Sequence, residues 1–458
     1  MPVELSEQEL RDAIAVVGEW DRQGAQAAQS AFEWMGWEGE EPLFLRRYDV
    51  QLFVWYVLPR KFLAGLEDKR AAAAALAKTL ERLGGQAAGY ADVCRAPETQ
   101  QLLCAWEAED PAAPRTFRNL LDDSGIEPPD TDVLAWGSVM GFEEARVREQ
   151  VATALEEAIE SGDLTPGARG FTRRQAEVAK AALREPWDGE DGRSCLQAVQ
   201  DERLERWLQR GPGGQEDERR AVLDGVAAAV SAEPPAIDPG AARSPLEPAL
   251  WLLEQGNDGI GLTQAGALNR ALVREVAERW PSWWEGDLFG PPHREDDVTP
   301  LWELHQLLRE LRLLRRKGRR VLTTKRGREL AGKPPVLLEA LATELLRGED
   351  FYAACAELAA VLILDGAPAD YGEALAGRIQ PAVAAAGWRA GEEPPSVRDV
   401  SWQIAAFLRP AEAIGVLVDE GGGSRLSRKP LLLTEAGRAA LTAALRARAL
   451  APAHSIRP

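Results

Sequence analysis

Val321-Leu322-Thr323-Thr324-Lys325-Arg326-Gly327-Arg328-Glu329-Leu330 is written a second time, in altered form, as Leu431-Leu432-Leu433-Thr434-Glu435-Ala436-Gly437-Arg438-Ala439-Ala440-Leu441. Each copy is a short apolar run, then Thr-x-x-Gly-Arg, then a tail with helical spacing. Each follows an amphipathic helix and a turn rich in basic residues or glycine. Helix, hairpin and next element, in that order, are how a small winged-helix module ends. The doubled phrase therefore predicts two diverged copies of one plan.

The first copy is read outward from residue 321. Residues 313–316, a Lys317-Gly318 turn and residues 319–323 make a hairpin. Before it, Leu301, Leu304, Leu308 and Leu311 form the buried stripe of a helix, opened by Thr299 as cap and Pro300 in the first turn. Residues 264–280 read as another helix, with Leu268, Leu272 and Val276 on one face. Residues 259–263 read as a short strand, and residues 248–254 as a helix stopped near Gly256. The resulting order is helix, strand, helix, helix, strand, strand, which is winged-helix topology. One departure is the link at 281–298, far longer than the 3–4 residue turn of a helix-turn-helix.

The second copy, 336–458, is looser. Helical stretches at 335–346, 352–364 and 371–386 come first. Ser396 and Asp399 then resemble a capping box ahead of Val397, Val400, Ile404 and Phe407. Residues 415–418, a turn at 420–424 and residues 430–433 make its hairpin, and Thr434 begins the last helix. The expected organisation is a helical domain at 1–165, a helical connector with a Pro/Gly-rich linker at 166–245, and winged-helix-like modules at 246–335 and 336–458. The fold class is mainly α, with small β-hairpins.

In the N-terminal region Ser6 is placed to cap a helix bearing Leu10, Ile14 and Val17. Asp49 is placed to cap a short apolar helix ended by Pro59. Residues 68–83 form an Ala-rich helix closed by Gly84-Gly85. Trp20, Trp34, Trp37, Tyr48, Trp55 and Tyr56 crowd the first sixty residues and read first as core, second as a binding groove. The Pro-rich stretch 232–240 reads as the main linker.

The 458 residues are 45% apolar and 28% charged, a globular balance. No apolar run approaches the roughly 20 residues that cross a bilayer. The start lacks the basic and apolar regions of a signal peptide. A cytoplasmic protein without membrane contact is expected. The four cysteines, Cys94, Cys104, Cys195 and Cys355, have no metal-site spacing and read as reduced.

The net charge of −19 is unevenly spread. Residues 246–335 hold fifteen Lys/Arg against thirteen Asp/Glu, and residues 336–458 hold twelve against fifteen. Residues 1–245 therefore carry −18. That half repels phosphate backbones.

Against this background the run from Arg309 to Arg328 stands out, with ten basic residues and one acid, Glu310. Arg315, Arg316, Lys317, Arg319, Arg320, Lys325, Arg326 and Arg328 on a wing are placed to meet phosphates or enter a minor groove. The preceding helix argues the other way, because its outward face would offer Glu303, Gln306, Arg309 and Glu310. The competing reading docks the wing on the acidic half of the same or another chain. DNA, a protein partner and self-association are thus the expected contacts.

Segments 261–266, 293–297 and 313–328 resemble the tail of a group of hypothetical proteins of high-GC bacteria. Residues 48–62 and 134–141 are similar to the N-terminal half of the same group. The resemblance implies an uncharacterised bacterial cytoplasmic protein and carries no catalytic role.

Enzymatic signals are sparse. His293, Glu295, Asp296, Asp297 and His305 meet without a fixed ligand spacing, and read as capping and dipole partners rather than a metal site. No GxSxG elbow is present, and the glycines at 211–214 and 421–423 lack phosphate-loop context. Neither a catalytic residue nor a cofactor is assigned. The expectation is a non-enzymatic regulatory or adaptor protein. A pure protein-interaction scaffold is the alternative, and an enzyme of unrecognised type the second.

Overall fold

The computed structural model describes residues 3–39, 41–187, 192–209, 216–284, 290–419 and 430–453. The expected turns at 211–214 and 420–424, His454 and part of the 281–298 link lie outside these. Among the described residues the chain is mainly helical, with strands confined to small antiparallel sheets. It divides into two units, residues 1–202 with 452–458 and residues 203–451.

In the first unit, Val3–Leu5 pairs with Leu43–Leu45. Ser6 caps helix Glu7–Gly18 in a full capping box, its hydroxyl accepting from Glu9 N while the Glu9 carboxylate accepts from Ser6 N. Pro59 does not end its helix as expected. The chain passes from Arg47–Leu52 through a π-turn, Phe53–Val57, into Leu58–Lys61. Pro59 has no N–H to donate to the Trp55 carbonyl four residues back, and the Trp106 indole donates to that carbonyl instead at 3.2 Å. Asp49 does cap from inside, bonding back to Arg46 N at 3.0 Å.

The aromatic cluster divides. Trp37, Tyr48 and Trp55 are buried, while Trp20 and Trp34 are exposed. Residues 166–202, expected as connecting structure, instead join a core. Val147, Val151 and Leu155 of helix Phe142–Glu160 pack with Ala179 of helix Phe171–Ala182 and with Ala198 and Val199 of helix Cys195–Leu208.

The second unit holds the repeat. Its first copy runs α1 (Glu247–Asp258), β1 (Ile260–Gly261), α2 (Arg270–Arg279), α3 (Thr299–Glu310), β2 (Leu314–Lys317), β3 (Arg320–Thr323) and α4 (Lys325–Ala331). After α5 (Pro334–Leu345) come α6 (Phe351–Leu364), α7 (Glu373–Ala385), α8 (Val397–Ala413), β4 (Leu417–Val418), β5 (Leu432–Leu433) and α9 (Glu435–Ala449). The order is the same. In the first copy β1 pairs with β3 through Ile260 and Val321. In the second the same place is held by a single bridge between Ala369 and Leu431.

Two boundaries differ from expectation. The α1 helix runs through Gly256 to Asp258, and ends at Gly259 with φ +88°. Gly256 is a contact point rather than a stop: a Cβ there would strike the Thr323 hydroxyl and come within 3.0 Å of the Leu314 side chain. The α2 helix starts at Arg270 rather than 264, because Asn269 caps it by accepting from Leu272 N at 3.0 Å. Residues 263–267 form a turn through Gly266, with Leu262 bridged to Leu268.

One continuous core joins both copies, from Trp207 and Leu223 through Leu252, Leu304 and Val321 to Leu362, Phe407 and Leu445. The Pro-rich stretch 232–240 lies within this unit, with Ile237 buried in the core. The expected linker there is therefore an internal loop. The segments 246–335 and 336–451 share an interior.

At the centre Glu357 of α6 is buried. Its carboxylate accepts from the Trp207 indole at 2.8 Å and from Arg448 Nε at 2.6 Å, and pairs with Arg219. Burial opposes its ionisation, but the two guanidinium groups outweigh that and hold the carboxyl below its usual range.

Candidate nucleic-acid interface

The two copies of the Thr-x-x-Gly phrase build one joint twice. Thr324 N donates to Leu313 O at 2.9 Å, and the Thr324 hydroxyl donates to Arg312 O at 2.9 Å. That hydroxyl also accepts from Gly327 N at 3.0 Å, capping α4. Thr434 repeats each contact, on Val416 O, Gly415 O and Gly437 N. Glycine is required in both copies. A Cβ at Gly327 would strike the Leu313 carbonyl oxygen, and one at Gly437 the Val416 carbonyl oxygen.

The first joint carries the basic hairpin. Its register pairs Leu314 with Thr323, Arg315 with Leu322, Arg316 with Val321 and Lys317 with Arg320. Opposite residues share a face. Leu314, Val321 and Thr323 are therefore inward and buried, while Arg315, Lys317 and Arg320 are outward and exposed. The loop is Gly318-Arg319, one residue beyond the expected turn, with Gly318 at φ +61°. Arg316 Nε donates to Gly318 O at 3.0 Å and steadies the tip.

The other predicted residues stand at the base of the hairpin. Lys325 and Arg326 are exposed in the first turn of α4, and Arg328 donates to Thr323 O at 3.1 Å. All eight are exposed. Among the described residues, Arg315, Arg316, Lys317, Arg319, Arg320 and Arg326 make no ion pair, while Lys325 lies 3.8 Å from Glu329.

Three features of this surface work against folding stability. Lys317 directly opposite Arg320 is a like-charge pair, which destabilises a sheet. Lys325 and Arg326 put positive charge at a helix N-terminus, against the dipole. Arg312 occupies a left-handed conformation, φ +56°, at the exit of α3, where glycine is favoured. Sequence reading missed Arg312 as special. The absence of glycine between the α3 stripe and the hairpin was the available signal.

The α3 helix presents Glu303 and Gln306 half-buried and Arg309 and Glu310 exposed. Helix α8 packs along it and α5 also touches it. Burial pushes the carboxyls of Glu303 and Glu310 up, with Arg409 beside the first and Glu344 beside the second.

The histidine–carboxylate cluster resolves into a structural joint. The Glu295 carboxylate accepts from Leu268 N at 2.7 Å and meets His305 Nδ1 at 2.6 Å, both side chains being buried. Asp297 accepts from His293 N and Arg294 N, each at 2.8 Å. Trp283 of the long link stacks on Trp280 at 5.4 Å and packs against the core, as does Trp284.

A cleft of about 1020 Å³ in the first unit is lined by Asp122, Glu127, Asp130, Trp136, Arg148 and Phe171 among others. Its inner polar groups are engaged with one another. Glu127 pairs with Arg148 and accepts from the Tyr48 hydroxyl at 3.0 Å, and Asp130 accepts from Trp136 N at 2.9 Å. Among the described residues no group of His, Cys, Asp and Glu is arranged to hold a metal ion. No helix there is long and apolar enough to cross a membrane.

Residues 245–336 match the family described as the Y4jL N-terminal domain. Over 92 residues, 19% of this chain, the sequence is 37% identical to an uncharacterized protein, y4jL, of Sinorhizobium fredii. The match spans 42% of that relative's length. The matched segment is the first copy of the repeat with its basic hairpin. Segments 48–62 and 134–141 fall outside it. No solved structure matches the chain.

Proposed function

We propose that this chain is a non-enzymatic regulatory or adaptor protein of the cytoplasm that contacts duplex DNA through the basic hairpin of its first repeat. In this reading both repeats are diverged winged-helix modules, and the first carries the wing. The observation that carries it is the set of exposed guanidinium and ammonium groups on β2, the loop and β3, left without ion pairs among the described residues and held there at a cost to stability. Guanidinium and ammonium groups free of carboxylates are available for charge-assisted hydrogen bonds to phosphates.

The hairpin belongs to the core shared by both copies, so the test uses the full chain. Labelled duplex is titrated with protein at low and at physiological salt. Binding that weakens steeply with salt supports the proposal. No binding at low salt overturns it and favours docking on a protein surface or a second copy, which sedimentation of the same sample would detect.

A further inference from the structure

We infer that the hairpin meets duplex DNA from the minor-groove side and tracks backbone and groove width rather than base sequence, an inference that rests on the duplex-binding reading above. The helix that would read a major groove is hemmed in. A helix with its side chains is about 10–12 Å across and the major groove about 12 Å wide, so an entering helix needs both flanks clear. Helices α8 and α5 both pack on α3 and crowd its outer face: Glu303 and Gln306 are half-buried, with Arg409 of α8 beside Glu303 and Glu344 of α5 beside Glu310. That face also carries two carboxylates, Glu303 half-buried and Glu310 exposed, which would repel a polyanion.

The hairpin cannot lie flat in the major groove either. Strand β1 pairs with β3 as far as Gly261 opposite Arg320, and Leu262 N reaches Arg319 O at 2.8 Å. The sheet is three strands wide almost to its tip. Strand spacing of about 4.8 Å makes such a ribbon about 10 Å across its backbones alone, too broad for the groove once side chains are added.

Only side chains at the tip enter. Arg319 sits in the loop, and the outward pair Lys317 and Arg320 flanks it. A minor groove about 6 Å wide takes one such side chain, with the neighbouring cations on the phosphates either side. A·T tracts narrow that groove and deepen its negative potential. Residues 314–323 contain no Asn or Gln to pair with base edges.

The test is competition with the full chain on two labelled duplexes of equal length, one an A·T tract and one G·C-rich. Netropsin, which fills the A·T minor groove, should displace the protein from the tract, and methyl green, a major-groove ligand, should leave it bound. Affinity should be higher for the tract than for the G·C duplex, and unchanged when A·T pairs are permuted within a tract of equal groove width. Displacement by methyl green alone, or G·C binding as tight as A·T binding, would overturn the inference while leaving duplex binding intact. Absence of binding to either duplex would remove the underlying reading instead.

Discussion

Thr324 and Thr434 hold the same joint, yet the helices leaving them lie in opposite environments. From Thr434, α9 runs into the core, with Ala440, Leu441, Ala444 and Leu445 fully buried and Arg448 bound to Glu357. From Thr324, α4 is a short surface helix opened by Lys325 and Arg326. The difference extends to single positions. Where Thr324 grips the carbonyl of Arg312, Thr434 grips that of Gly415, and both residues are left-handed, at φ +56° and +71°. The second copy uses glycine there and opens its helix with Glu435, the choices that favour stability. The first copy uses cations at both places. One copy is shaped by its interior; the proposed duplex contact would account for the other.

The largest test of this contrast is Glu357→Ala. It removes the buried carboxylate that Arg219 and Arg448 share, and should cost about 3–5 kcal/mol in denaturant unfolding. The same carboxyl sets a pH dependence. Its pKa is depressed on folding, so its contribution is complete above the unfolded value and is lost as pH falls through the folded one. Wild-type stability should therefore fall below about pH 4, and Glu357→Gln should flatten that slope.

Next comes Gly415→Ala. The position is left-handed, and a Cβ there would strike Pro245, so about 2–4 kcal/mol should be lost by the same measurement. The equivalent change in the first copy should have the opposite sign. Arg312→Gly relieves a left-handed side chain and should raise stability by about 1 kcal/mol. A loss of stability there would mean that Arg312 serves the fold, and the contrast between the copies would fail at that position.

The joint was legible in the sequence because Thr and Gly in Thr-x-x-Gly each do one thing: cap a helix and admit a carbonyl. The Ser396–Asp399 capping box was legible for the same reason, since its bonds span three residues. Misread boundaries depended on distant partners. Pro59 stays helical because Trp106, far along the chain, donates to the carbonyl it frees. Gly256 marks where α1 touches Thr323, not where it stops. The stretch 232–240 has a linker's composition, but Ile237 is held in a core whose other members reach as far along the chain as Ala449. At the candidate site the cations were visible as a run. Their separation into outward and inward faces was not, because it follows from a register that places the loop at Gly318-Arg319.

The smallest effect on folding should be the most telling for function. Arg319→Glu with Arg320→Glu changes only exposed side chains and should raise stability slightly, by about 0.2–1 kcal/mol, because Lys317 then faces a carboxylate. The direct measurement is the salt dependence of duplex binding by the full chain, wild type against this double variant, with thermal unfolding of both as control. Each phosphate contact contributes about 0.9 to the slope of log K against log salt. The account predicts melting no lower than that of the wild type and a slope reduced by about two contacts, or binding lost altogether. Equal slopes and equal affinities would contradict it.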